Sequence, residues 1–472
     1  MQFKKLERED IPALIPYFQK QKTHISNYSV SFLFMWFRHQ NAWFAVAEDC
    51  LIVREQFITM PYFHFPVSRT GDEESELRAL EALEDYCRKN RERLHFTNVP
   101  KSRLALLVER YGSDVHVSNP RRWRDYLYLA EDFKTYPGGR YSGQRNHVNK
   151  FLKNYPDYQF CDYKREDLEE IYRFLKEYSA VQLAKDTFSA QEELRAVEEI
   201  MPHIEELGMV SAYVRVGGKI VSLSVGEICG DMMIVVIEKA LRGYQGAYPA
   251  IAQFFARRFC GEGIRYINRE DDAGDLGLRK SKLQYLPAEI VDKYNLAIKR
   301  PIDTVSQFPR IKTERLTLKK IPEKDAARFA RLAKDDDLNR WWGYDWHDDA
   351  PEDVSDAWFL EDVYADFKKK DEIRLGVYFG GELIGEAVLH NFGYRAEAEV
   401  GVRILREYQG RGFAREAVEG LFEYGFAKLS LEKIEAKCFK ENAPSERMLR
   451  AAGMRPCGED ERYFYFYKTA AM

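Results

Sequence analysis

The feature that most restricts how this chain can fold is internal repetition. Three segments open alike, with a short apolar stretch, a polar corner carrying an Asp, and an amphipathic helix pattern. They are FKKLEREDIPALIPYF from Phe3, FCDYKREDLEEIYRFL from Phe160 and LKKIPEKDAARFARLA from Leu318. In each, the apolar residue stands seven positions before the acid, Asp10, Asp167 or Asp325. An Asp at that corner satisfies open amides and meets the positive end of the helix dipole. Two more stretches recur in the same order. VRVGGKIVSLSVGE (214–227) echoes VYFGGELIGEAVLH (377–390), and LRGYQG (241–246) echoes LREYQG (405–410). The three offsets are 158, 163 and 164, too constant for independent motifs. The paired glycines supply the positive φ angles of a tight hairpin turn. A weaker first copy is FAVAEDCLIV (44–53), followed by an expected helix near 74–90, a strand at 94–99 and a helix at 101–111.

The repeats predict three units, 1–145, 146–297 and 312–472, with 298–311 as a linker marked by prolines. Each unit reads strand, helices, antiparallel strands, then strand–helix–strand. That order describes an α/β (mixed α+β) fold with a mixed, mostly antiparallel sheet flanked by helices. A chain of 472 residues is too long for one core. Its net charge of −4 excludes a general nucleic-acid or membrane binder. No apolar run is long enough to span a bilayer, and the opening MQFKKLERED has no signal-peptide core. Seven cysteines without CxxC or zinc-ligand spacing suggest reduced thiols, no metal site and a cytoplasmic location.

The strongest chemical signal lies in the third unit. EAEVGVRIL (397–405) reads as a strand, followed by Gln409, Gly410, Arg411, Gly412, Phe413 and Ala414, then an expected helix over 415–429. Strand, glycine loop and helix bring backbone amides together on an anion at a helix N-terminus. Arg411 adds a charge-assisted contact.

This loop resembles the Q/R-x-x-G-x-G/A signature of the GNAT (GCN5-related N-acetyltransferase) superfamily, which binds acetyl-CoA pyrophosphate. FKENAPSERMLRAAGM (439–454) resembles that family's Asn-x-x-Ser/Ala helix, and the stretch 312–468, from ERLTLKK onward, resembles its ribosomal-protein N-acetyltransferase branch. The resemblance implies three tandem GNAT-like units and acetyl-CoA as co-substrate. It implies that Val402, Ile404 and Gln409 to Ala414, with Asn442 and Ser445, hold the CoA. It also implies direct attack of an amine on the thioester, which needs a proton acceptor. Glu399 and Glu386 are the candidate bases, with His390 a third. The helix Tyr that serves many members as the acid is replaced here by Leu449, leaving a water or Tyr463, Tyr465 or Tyr467.

Residues 335–372 are rich in acids, with Trp341, Trp342, Tyr344 and Trp346 interleaved. Such a rim suits a cationic amine or a basic peptide terminus, or forms a solvated face. In the second unit, Tyr248 aligns with Gly412 at constant offset and should obstruct a CoA loop.

The stretch Asn268-Arg269-Glu270-Asp271 with Gly274, Gly277, Leu278, Arg279, Lys282, Tyr285 and Pro287, together with Arg145-Asn146, resembles the phosphatidylglycerol lysyltransferase C-terminal domain family across about 1–297. That family is built from paired GNAT-like folds, and its membrane-bound members transfer an aminoacyl group from tRNA. Arg121, Arg122, Arg124, Arg140, Arg145, Lys150 and Lys153 would supply phosphate contacts. Three readings stand at this point. One is an acyl-CoA-dependent N-acyltransferase acting on an amine-bearing small molecule or a protein N-terminus. The second is an aminoacyl-tRNA-dependent transferase in the N-terminal region. The third is a CoA-binding module without catalysis.

Overall fold

The computed structural model describes the chain except residues 20–21, 58–59, 91, 113–114, 183–187, 343–345, 349–350, 352–353 and 471–472. It forms two compact units. The first comprises Met1–Tyr86, Arg93–Glu109 and His116–Ala297, and the second Ile298–Met472 with Cys87–Glu92 and Arg110–Val115. The fold is mixed α+β, with three mixed, mostly antiparallel sheets.

The sheet of the C-terminal unit runs Ile311–Lys312, Leu316–Lys319, Ile373–Phe379, Glu382–His390, Glu397–Ile404, Lys433–Phe439, Tyr463–Thr469 and Arg455–Glu459. Every neighbour pair is antiparallel except Glu397–Ile404 with Lys433–Phe439. A parallel pair needs a crossover, and helix Phe413–Lys428 provides it. Its buried residues Phe413, Ala417, Val418, Leu421 and Phe422 sit at helical spacing and join Val400, Ile404 and Ile434 in the core. Gly420 lets the chain at Thr313 cross close to this helix: a Cβ there would lie 2.8 Å from the Thr313 methyl.

The first compact unit holds two copies of the same plan. In one sheet Met60–Phe63 runs parallel to His95–Val99 across helix Glu73–Lys89. In the other, Met232–Ala240 runs parallel to Tyr266–Asn268 across helix Ala247–Phe259. One relationship departs from the predicted boundary at 145. In the C-terminal sheet, the strand beside the parallel pair is that unit's own last one, Tyr463–Thr469. In the first unit these last strands are exchanged. Asp125–Leu129 pairs with Tyr266–Asn268 in the second sheet, and Tyr294–Ala297 pairs with His95–Val99 in the first. The two repeats are therefore interlocked, and one apolar cluster takes residues from both, from Leu14 and Leu33 to Leu223 and Ile234. Where the exchanged strands begin, Asp125 and Lys293 form a buried ion pair at 2.6 Å, and Asp125 also accepts from the Ser26 amide (2.7 Å) and Asn268 (3.0 Å). Nearby, Glu227 of the second repeat caps helix Val30–Trp36 of the first, accepting from the amides of Val30 (3.1 Å) and Ser31 (2.7 Å).

The segment 298–311, expected as a linker, packs into the C-terminal unit. Ile302 and Val305 are buried in the C-terminal core, and Phe308 stacks on Phe367 at 3.9 Å. Apolar residues three apart make this segment part of the second unit. Among the described residues no helix is long and apolar enough to cross a membrane.

Candidate active site

The glycine loop of the C-terminal unit has the expected form. Gly410 (φ 71°) and Gly412 (φ 79°) adopt the left-handed conformation, and Gly412 is the N-cap of helix Phe413–Lys428, two residues earlier than predicted. A left-handed N-cap costs a non-glycine residue about 1–2 kcal/mol. It aims the following amides outward. The amides of Gly410, Arg411, Gly412, Phe413, Ala414 and Arg415 have no acceptor among the described residues. Such a cluster at the positive end of a 16-residue helix is built for an anion. Gln409 does not point into it; its side-chain amide donates to the Ile404 carbonyl at 2.8 Å and fixes the strand-to-loop corner.

Beside the loop the sheet forks. Strands Glu397–Ile404 and Lys433–Phe439 pair only at Glu397–Glu399 with Lys433–Glu435. Beyond Glu399 each strand continues without the other, so the backbone edge through Val402 and Ile404 is open to an extended ligand arm. The Ile404 side chain is buried and the Val402 side chain half-buried in the core. Asn442 caps helix Ala443–Ala451, its side chain accepting from the Ser445 amide at 3.2 Å. Leu449, in place of the family's Tyr, is buried.

The two candidate bases separate. Glu399 lies on the sheet face opposite the crossover helix, partly exposed. It accepts from Asn391 at 2.9 Å and lies 3.4 Å from Lys437 and 4.0 Å from His390 on the neighbouring strand. Burial holds the His390 imidazole below its usual value, against the opposing pull of Glu399. Glu386 is a correction: it has no exposure and is gripped by the guanidiniums of Arg403 and, at 3.5 Å, Arg374. Its register partner is Arg403, so pairing of the sheet itself forces the contact. With no exposure and its oxygens held by guanidiniums, Glu386 presents no surface to a substrate amine.

The acidic, aromatic rim is largely engaged internally. Asp335 pairs with Arg406 at 2.9 Å and Asp356 with Lys334 at 3.0 Å. Trp342 lies over Arg403 and against Gly401, and Trp341 packs on Phe439 at 5.6 Å, so both line the forked strands. Trp346 stacks on His347 away from them, and Tyr344 lies outside the described residues.

In the second repeat, Gly246 (φ 88°) is the N-cap of helix Ala247–Phe259 and thus the counterpart of Gly412; Tyr248 falls inside the helix. The predicted alignment of Tyr248 with Gly412 is off by two residues. The loop is closed by another route: a Cβ on Gly246 would lie 2.2 Å from the His147 carbonyl, because helix Ser142–Asn154 packs over it. The fork beyond Asn268 is filled by an Arg269–Glu238 pair (2.6 Å), with Arg269 over Tyr285 at 4.9 Å. Most of the basic cluster is engaged as well. Arg121 binds Tyr126, Arg124 binds Asn119, Arg140 pairs with Asp132, and Arg145 binds the Gly138 carbonyl.

Glycine-capped helix, forked parallel pair and flanking antiparallel strands define an acetyltransferase architecture in the C-terminal unit. Residues 315–455 match the acetyltransferase (GNAT) domain family. The chain belongs to the family described as phosphatidylglycerol lysyltransferase, C-terminal, whose pattern covers residues 18–297. Its C-terminal part is similar to the uncharacterized N-acetyltransferase YoaA of Bacillus subtilis, 30% identical over 161 residues, 34% of this chain and 89% of that one. It is also similar to the uncharacterized N-acetyltransferase p20 of Bacillus licheniformis, 31% identical over 151 residues, 31% of this chain and 82% of that protein. A crystal structure of a conserved protein of unknown function from Bacteroides thetaiotaomicron matches with a TM-score of 0.59 and 29% identity, covering 63% of this chain and all of its own. The protein is an acetyltransferase of the GNAT type.

Proposed function

We propose that the C-terminal unit transfers an acyl group from acyl-CoA to a primary amine. The observation that carries this reading is the set of amides from Gly410 to Arg415 without acceptors among the described residues, on an exposed loop beside the sheet fork. The amides take the diphosphate of CoA, and the open edge through Val402 and Ile404 takes the pantetheine arm, with Asn442 and Ser445 beside it. The amine nitrogen then bonds to the thioester carbonyl carbon, the carbon–sulfur bond breaks, and the amine proton leaves. Glu399 is the group placed to accept that proton, directly or through one water, since it is partly exposed and lies next to the fork. The sulfur departs with a proton from water or from a tyrosine of strand Tyr463–Thr469.

Trp341, Trp342 and Glu399 surround the acceptor side, which favours a cationic amine: a polyamine or a basic peptide N-terminus. The test incubates the full chain with acetyl-CoA and a panel of such amines, following thiol release and acetyl mass gain. Thiol release with acetylated amine is expected. Binding of CoA without transfer to any amine in the panel would favour a non-catalytic CoA module. The aminoacyl-tRNA alternative rests on the family match over 18–297, and the internal partners of Arg121, Arg124, Arg140 and Arg145 argue against a tRNA-binding face there.

A further inference from the structure

Resting on the proposed CoA site, we infer that Arg315 is a positioning residue of that site, a clamp that holds the Gly410–Gly412 loop open for a diphosphate, and that Glu416 orients it. Arg315 lies just before strand Leu316–Lys319, far from the loop in sequence. Its guanidinium nevertheless donates to the Arg411 carbonyl at 3.1 Å and lies over the Phe413 ring at 4.7 Å. A Cβ on Gly412 would meet this guanidinium at 3.4 Å. Pulling the Arg411 carbonyl toward Arg315 turns the adjoining amides the other way, outward.

Glu416 fixes the arginine. One carboxylate oxygen accepts from Thr313 Oγ1 (2.6 Å) and the Arg315 amide (2.7 Å), and the other from Arg315 Nε (2.7 Å). Both carboxylate oxygens of Glu416 are thus directed at the turn that carries Arg315. Burial alone would raise the Glu416 carboxyl, but these bonds outweigh it and hold it below the usual carboxylate range.

The charge balance points to a ligand rather than to stability alone. The guanidiniums of Arg315 and Arg411 flank Phe413 at 4.7 and 4.8 Å, at the positive end of a helix dipole. Arg411 has no carboxylate partner among the described residues. Two cations at a helix N-terminus, with one carboxylate between them, repel one another and the dipole. A multivalent anion seated on the amides adds an attraction to each cation and to the dipole, which offsets those repulsions.

The experiment measures CoA binding to the full chain by calorimetry, and pantetheine, which lacks the diphosphate, by ligand-observed NMR. Arg315→Ala is expected to weaken CoA about tenfold or more, roughly 1.4 kcal/mol, with pantetheine unchanged. Arg315→Lys, which keeps the charge but not the fork, should recover only part of the loss. Glu416→Gln is the deciding variant. Removing a negative charge beside an anion site should tighten binding if charge alone matters; the clamp requires it to weaken binding several-fold. Unliganded melting curves identify any variant that has lost its fold. Tighter or unchanged CoA binding by a folded Glu416→Gln overturns the clamp while leaving the proposed function standing. A wild-type chain that binds no CoA overturns both.

Discussion

Gly246 and Gly412 hold the same post in two copies of one fold, each a left-handed N-cap of the crossover helix, with φ of 88° and 79°. What differs is the space beyond them. At Gly246 the His147 carbonyl stands 2.2 Å from where a Cβ would be; at Gly412 the nearest group is the Arg315 guanidinium at 3.4 Å. The duplicated helix cap is a close-packed site in one copy and an open one in the other.

One CoA per chain is therefore expected. Titration calorimetry on the full protein should give a single site, and Gly412→Tyr should remove it without unfolding the chain. A stoichiometry of two would mean that helix Ser142–Asn154 does not close the Gly246 loop.

Alanine at the two glycines should separate their roles. Gly412→Ala meets only conformational strain, about 1–2 kcal/mol. Gly246→Ala adds a backbone clash, for a total of about 2–5 kcal/mol, with no change in CoA affinity. Chemical denaturation followed by tryptophan fluorescence and CoA titration reads both. Equal destabilisation by the two would contradict the difference in packing.

The strand exchange makes the first two repeats inseparable. Fragments 1–145 and 146–297 each carry the other's last strand, so neither can complete its own sheet. Each should be unfolded alone by NMR dispersion, and mixing should restore structure. Lys293→Met strands the Asp125 carboxylate at the crossing and should cost about 3–5 kcal/mol. A well-folded isolated 146–297 would refute the exchange.

Repetition, the hairpins and the glycine loop were legible because each is written in local chemistry: alternating apolar residues, Gly-Gly turns, a glycine pair before a helix. The exchange was not. Asp125–Leu129 reads as a strand, but nothing local says which of two like sheets it joins. In 298–311 the apolar spacing of Ile302, Val305 and Phe308, three apart, signals packing, while Pro301 and Pro309 signal a linker, and local sequence does not rank the two. Arg315 was visible only as part of the ERLTLKK opening, since its partner Glu416 lies 101 residues away.

Glu270 gives a pH-dependent test of the first unit. Its carboxyl is pushed up to about 8 by burial, against the pull of Lys282. An acid raised in the folded state favours folding while protonated. That contribution is full below the unfolded value, about 4.3, and is lost as pH rises toward 8. Glu270→Gln imitates the protonated form. It should match the wild-type melting point at about pH 4 and below and exceed it increasingly up to about pH 8. A constant difference across that range would show that Glu270 does not titrate there.

Glu386 and Glu399 lie on adjacent strands and should respond to the same substitution in opposite ways. Glu386 sits between Arg403 and Arg374 with no exposure. Glu386→Gln removes the carboxylate that Arg403 grips, leaving that buried cation under-compensated, while Arg374 keeps its bidentate pair with Glu372 (2.6 Å). A loss of about 3–5 kcal/mol in stability is expected, with CoA affinity little changed in the folded fraction. Glu399 is partly exposed, and its neighbours Asn391 and Lys437 are exposed enough to stay solvated without it. Glu399→Gln should leave the melting point within about 0.5 kcal/mol of wild type. As the proton acceptor it should lower kcat by about 10²–10⁴ while the KM for acetyl-CoA holds, once an acceptor from the amine panel is in hand. A Glu399→Gln enzyme with full turnover would transfer the proton-accepting role to His390 or to water. A Glu386→Gln enzyme that is fully stable but inactive would return Glu386 to the reaction despite its two arginines.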